Sequence, residues 1–236
     1  MRAFLIHSIS GSSVVLALVC SSCVATSPSG VVSRSRLPLY EWHDDGGPGE
    51  VSVHISLTDQ IADIERGGRP IGWCYVATGK AGHETRSGSY RVMEKIVDKH
   101  STLYGWIQDA DGNVVNPDAT PGTPHPKGTV YVAAPMPYWM RLTSYGVGMH
   151  GGYIPHPGKP ASHGCIRMPK KFVPLLYDSV HVGTPVTVTY GRSREGRITD
   201  RPDSAVYEGT DEVSGPQERY SAWGPADSGA ASFSPH

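Results

Sequence analysis

Residues 149–169 read MHGGYIPHPGKPASHGCIRMP, and this stretch is the most informative part of the chain. It places His150, His156, His163 and Cys165 among glycines and prolines. A metal site, a nucleophilic cysteine with its base, or a loop without chemistry would each be compatible with such a composition. The spacing matches no familiar zinc pattern, and neither an HExxH segment nor a CxxC pair occurs within the stretch. The pattern therefore favours the nucleophile.

A cysteine nucleophile needs a base within reach and backbone amides that can stabilise an oxyanion. Gly164 lies directly before Cys165, where it allows a sharp turn and leaves amides free to face a substrate. His150 closes a strand-like run 15 residues upstream, far enough to return across a loop and meet the thiol. His163 adjoins the cysteine, whereas His156 lies between two prolines and is expected to be a solvated loop residue.

The composition of the whole chain sets the class of protein. With 236 residues the chain can form one sizeable domain or two small ones. A formal net charge of −1 gives no electrostatic reason to bind nucleic acid, so we expect no nucleic-acid partner. The 28 glycines and 20 prolines favour short strands joined by turns over a helical bundle.

The N-terminal residues 1–23 are predicted to be a signal peptide. The run from Ala3 to Val19 is apolar and lacks acidic residues, but serines and a histidine make it a poor spanning helix. Cys23 follows small residues and resembles the lipidated cysteine of bacterial lipoproteins, although Cys20 stands where a leucine is usual. The alternative is ordinary cleavage near Ala25. We expect export to the periplasm or cell envelope and a lipid anchor on Cys23.

Three further regions are predicted after the signal. Residues 24–50 are rich in Ser, Gly and Pro and are expected to be a flexible linker. Residues 51–190 carry the strand-like alternation of a folded domain, and residues 191–236 are polar and expected to be a disordered tail. Within the domain, residues 98–128 are expected to be mostly loop with a short strand near 104–107, and the DADGN segment a turn. One helix is predicted within residues 169–183, with its apolar face at Phe172, Leu175, Leu176 and Val180.

Two cysteines remain in the predicted domain. Cys74 lies in the strand-like run IGWCYVATG and is expected to be a small buried residue. Cys165 lies among glycine and polar residues, which is not a core setting. A disulfide between them is the alternative, since exported proteins often contain disulfides.

The segment SHGCIRM, preceded at this distance by a histidine and glycine, is similar to the signature of the L,D-transpeptidase (YkuD-like) family. The likeness begins at VSVHISLTDQ, includes PMPYWMRLTSYGVGMHGG and ends at VGTPVTVTY. Where the family usually has a Thr-Pro-x-Gly turn, this chain has Thr85-Arg86-Ser87-Gly88, a turn we expect to lie away from the nucleophile. The resemblance implies a mainly β, sandwich-like domain with one or two short helices.

The resemblance also implies roles for individual residues. Cys165 would be the nucleophile and His150 the base, with the carbonyl of Gly151 orienting the imidazole. His163 and Gly164 would shape the oxyanion site.

Four further residues are implied to bind substrate. Ser162 would fix the turn, and Arg167 could offer its planar fork to a stem-peptide carboxylate, with a surface salt bridge as an equal alternative. Met136 and Tyr138 would line the groove. Trp139 could join them, although burial in the core suits it equally.

The implied reaction is a transfer between peptidoglycan stem peptides. The thiol attacks a donor tetrapeptide, D-alanine leaves, and an acceptor amine resolves the thioester without a metal or organic cofactor. Carbapenems are expected to acylate the same thiol. Alternatives within enzymes are an L,D-carboxypeptidase, or attachment of an envelope protein to the wall or its release. A non-catalytic wall-binding lipoprotein is a further alternative, but binding alone needs no thiol paired with a histidine.

Overall fold

The computed structural model describes residues 37–194, which form thirteen strands and one helix. In chain order they are β1 (Tyr40–Trp42), β2 (Val51–Ser56), β3 (Ile61–Arg66), β4 (Arg69–Tyr75), β5 (Gly88–Arg91), β6 (Glu94–Ile96), β7 (His100–Gln108), β8 (Val114–Ala119), β9 (Val130–Pro135), β10 (Trp139–Arg141), β11 (Gly148–Gly151), β12 (Ile166–Met168), α1 (Val173–Ser179) and β13 (Pro185–Thr189). The prediction of a mainly β domain with one or two short helices is confirmed.

The strands form three sheets. The main sheet has the order β1-β4-β3-β2-β13-β5, the site sheet β12-β11-β10-β6, and the outer sheet β8-β7-β9. The main and site sheets share one apolar core. Its buried side chains include Val53, Ile55, Val186 and Val188 from the main sheet, and Met140, Met149, Ile166 and Met168 from the site sheet. The site sheet therefore packs against the main sheet through a close-packed core, which limits the movement of residues at the edge of the site sheet.

Local sequence patterns account for several of these elements. In β2, Val51, Val53 and Ile55 are buried and His54 is exposed, as strict alternation requires. Helix α1 starts after Phe172 with a proline in its first turn, a position that needs no amide hydrogen bond. The predicted apolar face of this helix is wrong at Leu175, which is 37% exposed.

Residues 98–128 differ most from the prediction. They contain β7 and β8, which are much longer than the short strand expected near 104–107. The carboxylate of Asp109 accepts the backbone N–H groups of Asp111 and Asn113, so the DADGN segment closes the β7–β8 hairpin. That turn prediction is confirmed. Pro117 and scattered polar residues obscured the strand signal in β8.

The segment before residue 50 is also more ordered than predicted. Strand β1 pairs with β4, and the rings of Tyr40 and Trp42 lie 5.5 and 5.6 Å from the ring of Phe172. The guanidinium of Arg66 lies 2.6 Å from the carboxylate of Asp44 and lowers the pKa of that carboxyl. The flexible-linker prediction is therefore wrong for residues 40–44. The signal peptide and residues 24–36 lie outside the described residues.

The predicted tail begins later than residue 191. The amide of Ser193 donates to Asp59 at 2.8 Å, and the guanidinium of Arg192 lies 3.3 Å from the same carboxylate. The amide of Arg194 donates to Asp63 at 3.0 Å. These contacts attach residues 192–194 to the main sheet, so the tail prediction is wrong for them. The remaining tail, 195–236, lies outside the described residues.

Two truncations should therefore differ in stability. Ending the chain after Tyr190 removes the Ser193 and Arg192 contacts of Asp59, whose side chain is 2% exposed, and leaves it the hydroxyl of Ser56. This loss should lower the free energy of unfolding by about 1–3 kcal/mol. Ending it after Arg194 keeps these contacts and should leave stability unchanged. Chemical denaturation of both truncated proteins beside the full chain measures the difference. Equal midpoints for the two truncations would contradict the prediction.

Candidate active site

The two ends of the 149–169 stretch meet at the edge of the site sheet. Strands β11 and β12 pair in parallel, with Met149 opposite Ile166 and His150 opposite Arg167. Cys165 lies one residue before β12. His150 and Cys165, which are 15 residues apart in sequence, both line one cavity of about 650 Å³, which we call the cleft. The fold therefore places the two residues predicted as nucleophile and base in the same cleft.

The cleft has an apolar wall opposite these residues. The outer sheet and the segment after it contribute Leu103, Tyr104, Trp106 and Met136. The sequence indicated only Met136, because the other three fall in the region taken as mostly loop. Apolar side chains of this kind lower the local dielectric of a cleft, which strengthens electrostatic interactions there.

The imidazole of His150 is held in one orientation. The side chain is 6% exposed, and its Nδ1 lies 2.9 Å from the carbonyl oxygen of Gly151. A carbonyl can only accept, so in the neutral ring Nδ1 carries the hydrogen and Nε2 keeps its lone pair. Burial lowers the pKa of His150 to about 4, and the positive charge of Arg167 adds to this effect. The ring is therefore a neutral base at physiological pH.

The thiol of Cys165 is free and partly buried. Its Sγ lies 3.7 Å from the carbonyl oxygen of Gly146. Burial raises the pKa of this thiol, although the amide of Gly148 and the charge of Arg167 oppose the rise. With the imidazole also neutral, the resting pair is thiol and imidazole rather than an ion pair.

The other cysteine in the domain takes no part in the cleft. Cys74 is fully buried in the core with a free thiol, and burial raises its pKa well above the ordinary value. The prediction of a small buried residue is confirmed. The alternative of a disulfide with Cys165 is wrong.

Hydrogen bonds from two directions fix the turn before the nucleophile. The hydroxyl of Ser162 donates to the carbonyl of Cys165 and accepts the amide of Gly164 at 3.1 Å. On the other side, the Thr85 hydroxyl donates to the carbonyl of Gly164 at 2.8 Å and accepts the Gly79 amide at 2.9 Å. Gly164 has φ +113°, a conformation that a side chain would strain.

Thr85 is a site residue that the sequence analysis placed wrongly. Its turn was expected to lie away from the nucleophile, yet its buried hydroxyl contacts the residue directly before Cys165. The sequence did contain a signal for this residue, because Thr85 begins the segment that corresponds to the family's Thr-Pro-x-Gly turn. The distance of 79 residues between Thr85 and Gly164 hid the contact.

The ring of His163 connects the turn to the outer sheet. It stacks on Tyr104 with ring centres 4.5 Å apart, and its Nε2 lies 3.2 Å from the carboxylate of Asp118. The ring of His83 meets it edge-on at 4.9 Å. Burial lowers the pKa of His163, and the nearby charge of Lys80 acts in the same direction. No sequence motif marked Tyr104 or Asp118.

The other residues singled out in the sequence lie in different places. Arg167 and Met136 line the cleft, as expected of substrate-binding residues. Tyr138 does not line it; its ring packs on Tyr177 of α1 at 5.4 Å, so that prediction is wrong. Trp139 forms the buried floor, with its ring centre 6.2 Å from that of His150. His156 is exposed, as predicted.

Residues 37–194 contain neither a cluster of metal ligands nor a membrane-spanning helix. No three His, Cys, Asp or Glu side chains in this range are grouped so that they could hold a metal ion. No helix in the same range is long and apolar enough to cross a bilayer.

Comparison with known proteins identifies the family of the chain. The sequence profile of the YkuD family, the L,D-transpeptidase catalytic domain, matches residues 50–188. The chain belongs to this family. The match covers every residue of the cleft named above, so the resemblance drawn from SHGCIRM is confirmed. No curated protein sequence matches the chain significantly.

Solved structures of several L,D-transpeptidases are similar to this L,D-transpeptidase domain. The enzyme from Mycobacterium smegmatis is 20% identical over 60% of this chain and 59% of its own, with a TM-score of 0.46. The protein from Stackebrandtia nassauensis is 24% identical over 64% and 59%, with a TM-score of 0.43. The one from Xylanimonas cellulosilytica is 21% identical over 61% and 62%, with a TM-score of 0.43. The chain thus spans about three fifths of their lengths.

Proposed function

We propose that the domain is a peptidoglycan L,D-transpeptidase that uses Cys165 as its nucleophile and His150 as its base. The observation that carries the proposal is the parallel pairing of β11 and β12, which brings both side chains into one cleft. The Nδ1 contact with Gly151 supports it further, because it leaves Nε2 as the proton acceptor.

In the first step the thiol attacks a donor stem tetrapeptide. Sγ of Cys165 adds to the carbonyl carbon of the residue before the terminal D-alanine, and Nε2 of His150 takes the thiol proton. The carbon–nitrogen bond then breaks, and the imidazolium returns that proton to the D-alanine amine. A thioester remains on the enzyme.

The turn around residues 163–165 would stabilise the oxyanion formed during this step. The backbone N–H of Gly164 already donates to the hydroxyl of Ser162. The backbone N–H of Cys165 would therefore be the donor to the oxyanion from the nucleophile's own residue. His163 and Gly164 shape the site by fixing the backbone around that amide. Arg167, on the cleft wall, would bind a carboxylate of the stem peptide.

In the second step an acceptor amine attacks the thioester carbonyl. A new carbon–nitrogen bond forms and the carbon–sulfur bond breaks. The amine gives one proton to His150, which passes it to the departing sulfur. The product is a cross-linked stem peptide, and the thiol is regenerated. An envelope protein could supply the amine in place of a peptide.

Purified muropeptides test this function. Incubation of the enzyme with disaccharide tetrapeptides, read by mass spectrometry, should show release of D-alanine together with cross-linked dimers. Release of D-alanine without dimers would identify water as the acceptor and the enzyme as an L,D-carboxypeptidase. If neither D-alanine nor dimers are formed, the result would indicate a non-catalytic wall-binding protein.

We also propose that the protein is exported and anchored by a lipid on Cys23. The support is the sequence alone: an apolar signal followed by small residues and a cysteine. A single covalent lipid increases membrane affinity through its buried methylene groups.

Replacing Cys23 by serine tests the anchor. The parent should partition into detergent with the membrane fraction, whereas Cys23→Ser should be released or remain unprocessed. Cys20→Ser, which changes the neighbouring cysteine, should behave as the parent does. Unchanged mass and partition in Cys23→Ser would contradict the lipid anchor.

A further inference from the structure

A second cavity of about 450 Å³ lies on the other side of the nucleophile's turn. His163 and Gly164 belong to its wall. Tyr145, Val147 and His163 line both this second cavity and the cleft, so the two spaces adjoin around the turn that carries Cys165. A two-substrate reaction needs room for a second molecule beside the thioester, and the second cavity provides room next to the turn.

Arg86 gives the second cavity a positive charge. It follows Thr85 directly, and its side chain lines the cavity. Two hydrogen bonds fix the backbone around Arg86. The hydroxyl of the preceding Thr85 donates to the carbonyl of Gly164, and the hydroxyl of Tyr90 donates to the Arg86 carbonyl at 2.9 Å. Within residues 37–194 the guanidinium has no ion-pair partner.

Glu84 gives the same cavity a negative charge. One of its oxygens accepts the amide of Gly82 at 2.8 Å, and this bond lowers the pKa of the carboxyl. The group is therefore ionised at neutral pH. In the described part of the chain Glu84 and Arg86 form no ion pair with each other, so both charges remain available to a ligand.

We propose that the second cavity binds the acceptor through the carboxylate beside its reacting amine, and that Arg86 recognises that carboxylate. The proposal rests on the proposed function. The free end of a diaminopimelate residue carries an amine and a carboxylate on one carbon, and these charges complement Glu84 and Arg86. Glu84 attracts the ammonium as the acceptor arrives, and Arg86 holds the carboxylate by charge-assisted hydrogen bonds.

The acceptor loses two protons in the second half-reaction. The acceptor ammonium loses one proton to solvent and becomes a neutral amine. It then attacks the thioester carbonyl and gives a second proton to His150, which passes it to sulfur as the carbon–sulfur bond breaks. Arg86 takes no part in proton transfer; it positions the amine by holding the adjacent carboxylate.

Two acceptors that differ only in this carboxylate provide the test. Lysine is diaminopimelate without the second carboxylate, so tripeptides ending in either residue form a matched pair. Arg86→Gln should lower kcat/KM for the diaminopimelate acceptor by about fivefold, the size of an exposed charge contact, and leave the lysine acceptor unchanged. Glu84→Gln should weaken both acceptors equally, because both carry the ammonium. Arg91→Gln, which removes the same charge outside the cavity, is the control and should change neither.

The first half-reaction is measured in the same samples. Release of D-alanine from the donor and the mass of the acyl-enzyme should be equal in parent, Arg86→Gln and Arg91→Gln. If acylation is normal but Arg86→Gln affects both acceptors equally or neither, the acceptor proposal is overturned alone. A parent that forms no acyl-enzyme would overturn the proposed function and, with it, this proposal.

Discussion

Replacing Cys165 by alanine is expected to abolish release of D-alanine from a tetrapeptide donor, with a loss of about 10⁴-fold or more. In the proposed mechanism Sγ of Cys165 forms the covalent intermediate, and no other described residue of the cleft offers a second thiol. The core position of Cys74 makes it unable to substitute. Measured turnover of Cys165→Ala against the parent checks this directly.

A carbapenem distinguishes the two thiols without substrate turnover. Mass spectrometry should show one adduct on the parent, located on Cys165, and none on Cys165→Ala. Cys74→Ala is the matched control and should carry the same adduct as the parent. An adduct on Cys74, or no adduct on the parent, would count against the assignment of the nucleophile.

Replacing His150 by alanine should reduce turnover by about a hundredfold or more, in the range of lost acid–base catalysis. A free cysteine has a pKa of about 8.5, and burial raises that of Cys165, so little thiolate exists at neutral pH without a base. The imidazole also returns a proton to the departing D-alanine amine, which a thiol alone cannot do. His156→Ala, in the same loop but exposed, should behave as the parent does.

The pH dependence of the three proteins gives the sharper test. In the parent, activity should fall on the acid side near pH 4, because protonation of His150 then removes the base. In His150→Ala, acylation should recover partly as pH rises toward the raised pKa of the thiol, while protonation of the leaving amine stays impaired. Near-normal activity in His150→Ala, or equal losses in His150→Ala and His156→Ala, would remove His150 from the mechanism.

The same two pKa shifts predict the resting state of the pair. The folded pKa of His150 lies below its ordinary value, so the ring stays neutral above about pH 4. The raised pKa of Cys165 keeps the thiol protonated through neutral pH. Alkylation of the parent by iodoacetamide should therefore rise steadily with pH in the alkaline range. A fast plateau between pH 5 and about 7 would instead indicate a preformed thiolate–imidazolium pair.

The sequence alone was sufficient for the chemistry of the nucleophile. A histidine and a glycine-flanked cysteine indicated a nucleophilic cysteine, and the resemblance of SHGCIRM to the L,D-transpeptidase signature implied the reaction. The regular alternation in β2 indicated strands. These features are local: a turn residue, a periodicity or a short motif determines structure over a few residues. Cys165 and His150 could therefore be named as candidate site residues before any tertiary contact was known, and the family resemblance added Gly151.

Contacts between distant segments decided the rest. Thr85 contacts Gly164, 79 residues away in sequence. Asp118 contacts His163 from β8, a strand that was not predicted because it contains a proline. Tyr138 and Trp139 are neighbours of similar character, yet one packs on α1 and the other floors the cleft. Sequence patterns specify which residues form an element, but which side chains meet depends on strand pairing and sheet packing across the whole chain. The parallel register of β11 and β12 is the clearest case, because it places His150 and Cys165, which are 15 residues apart in sequence, in the same cleft.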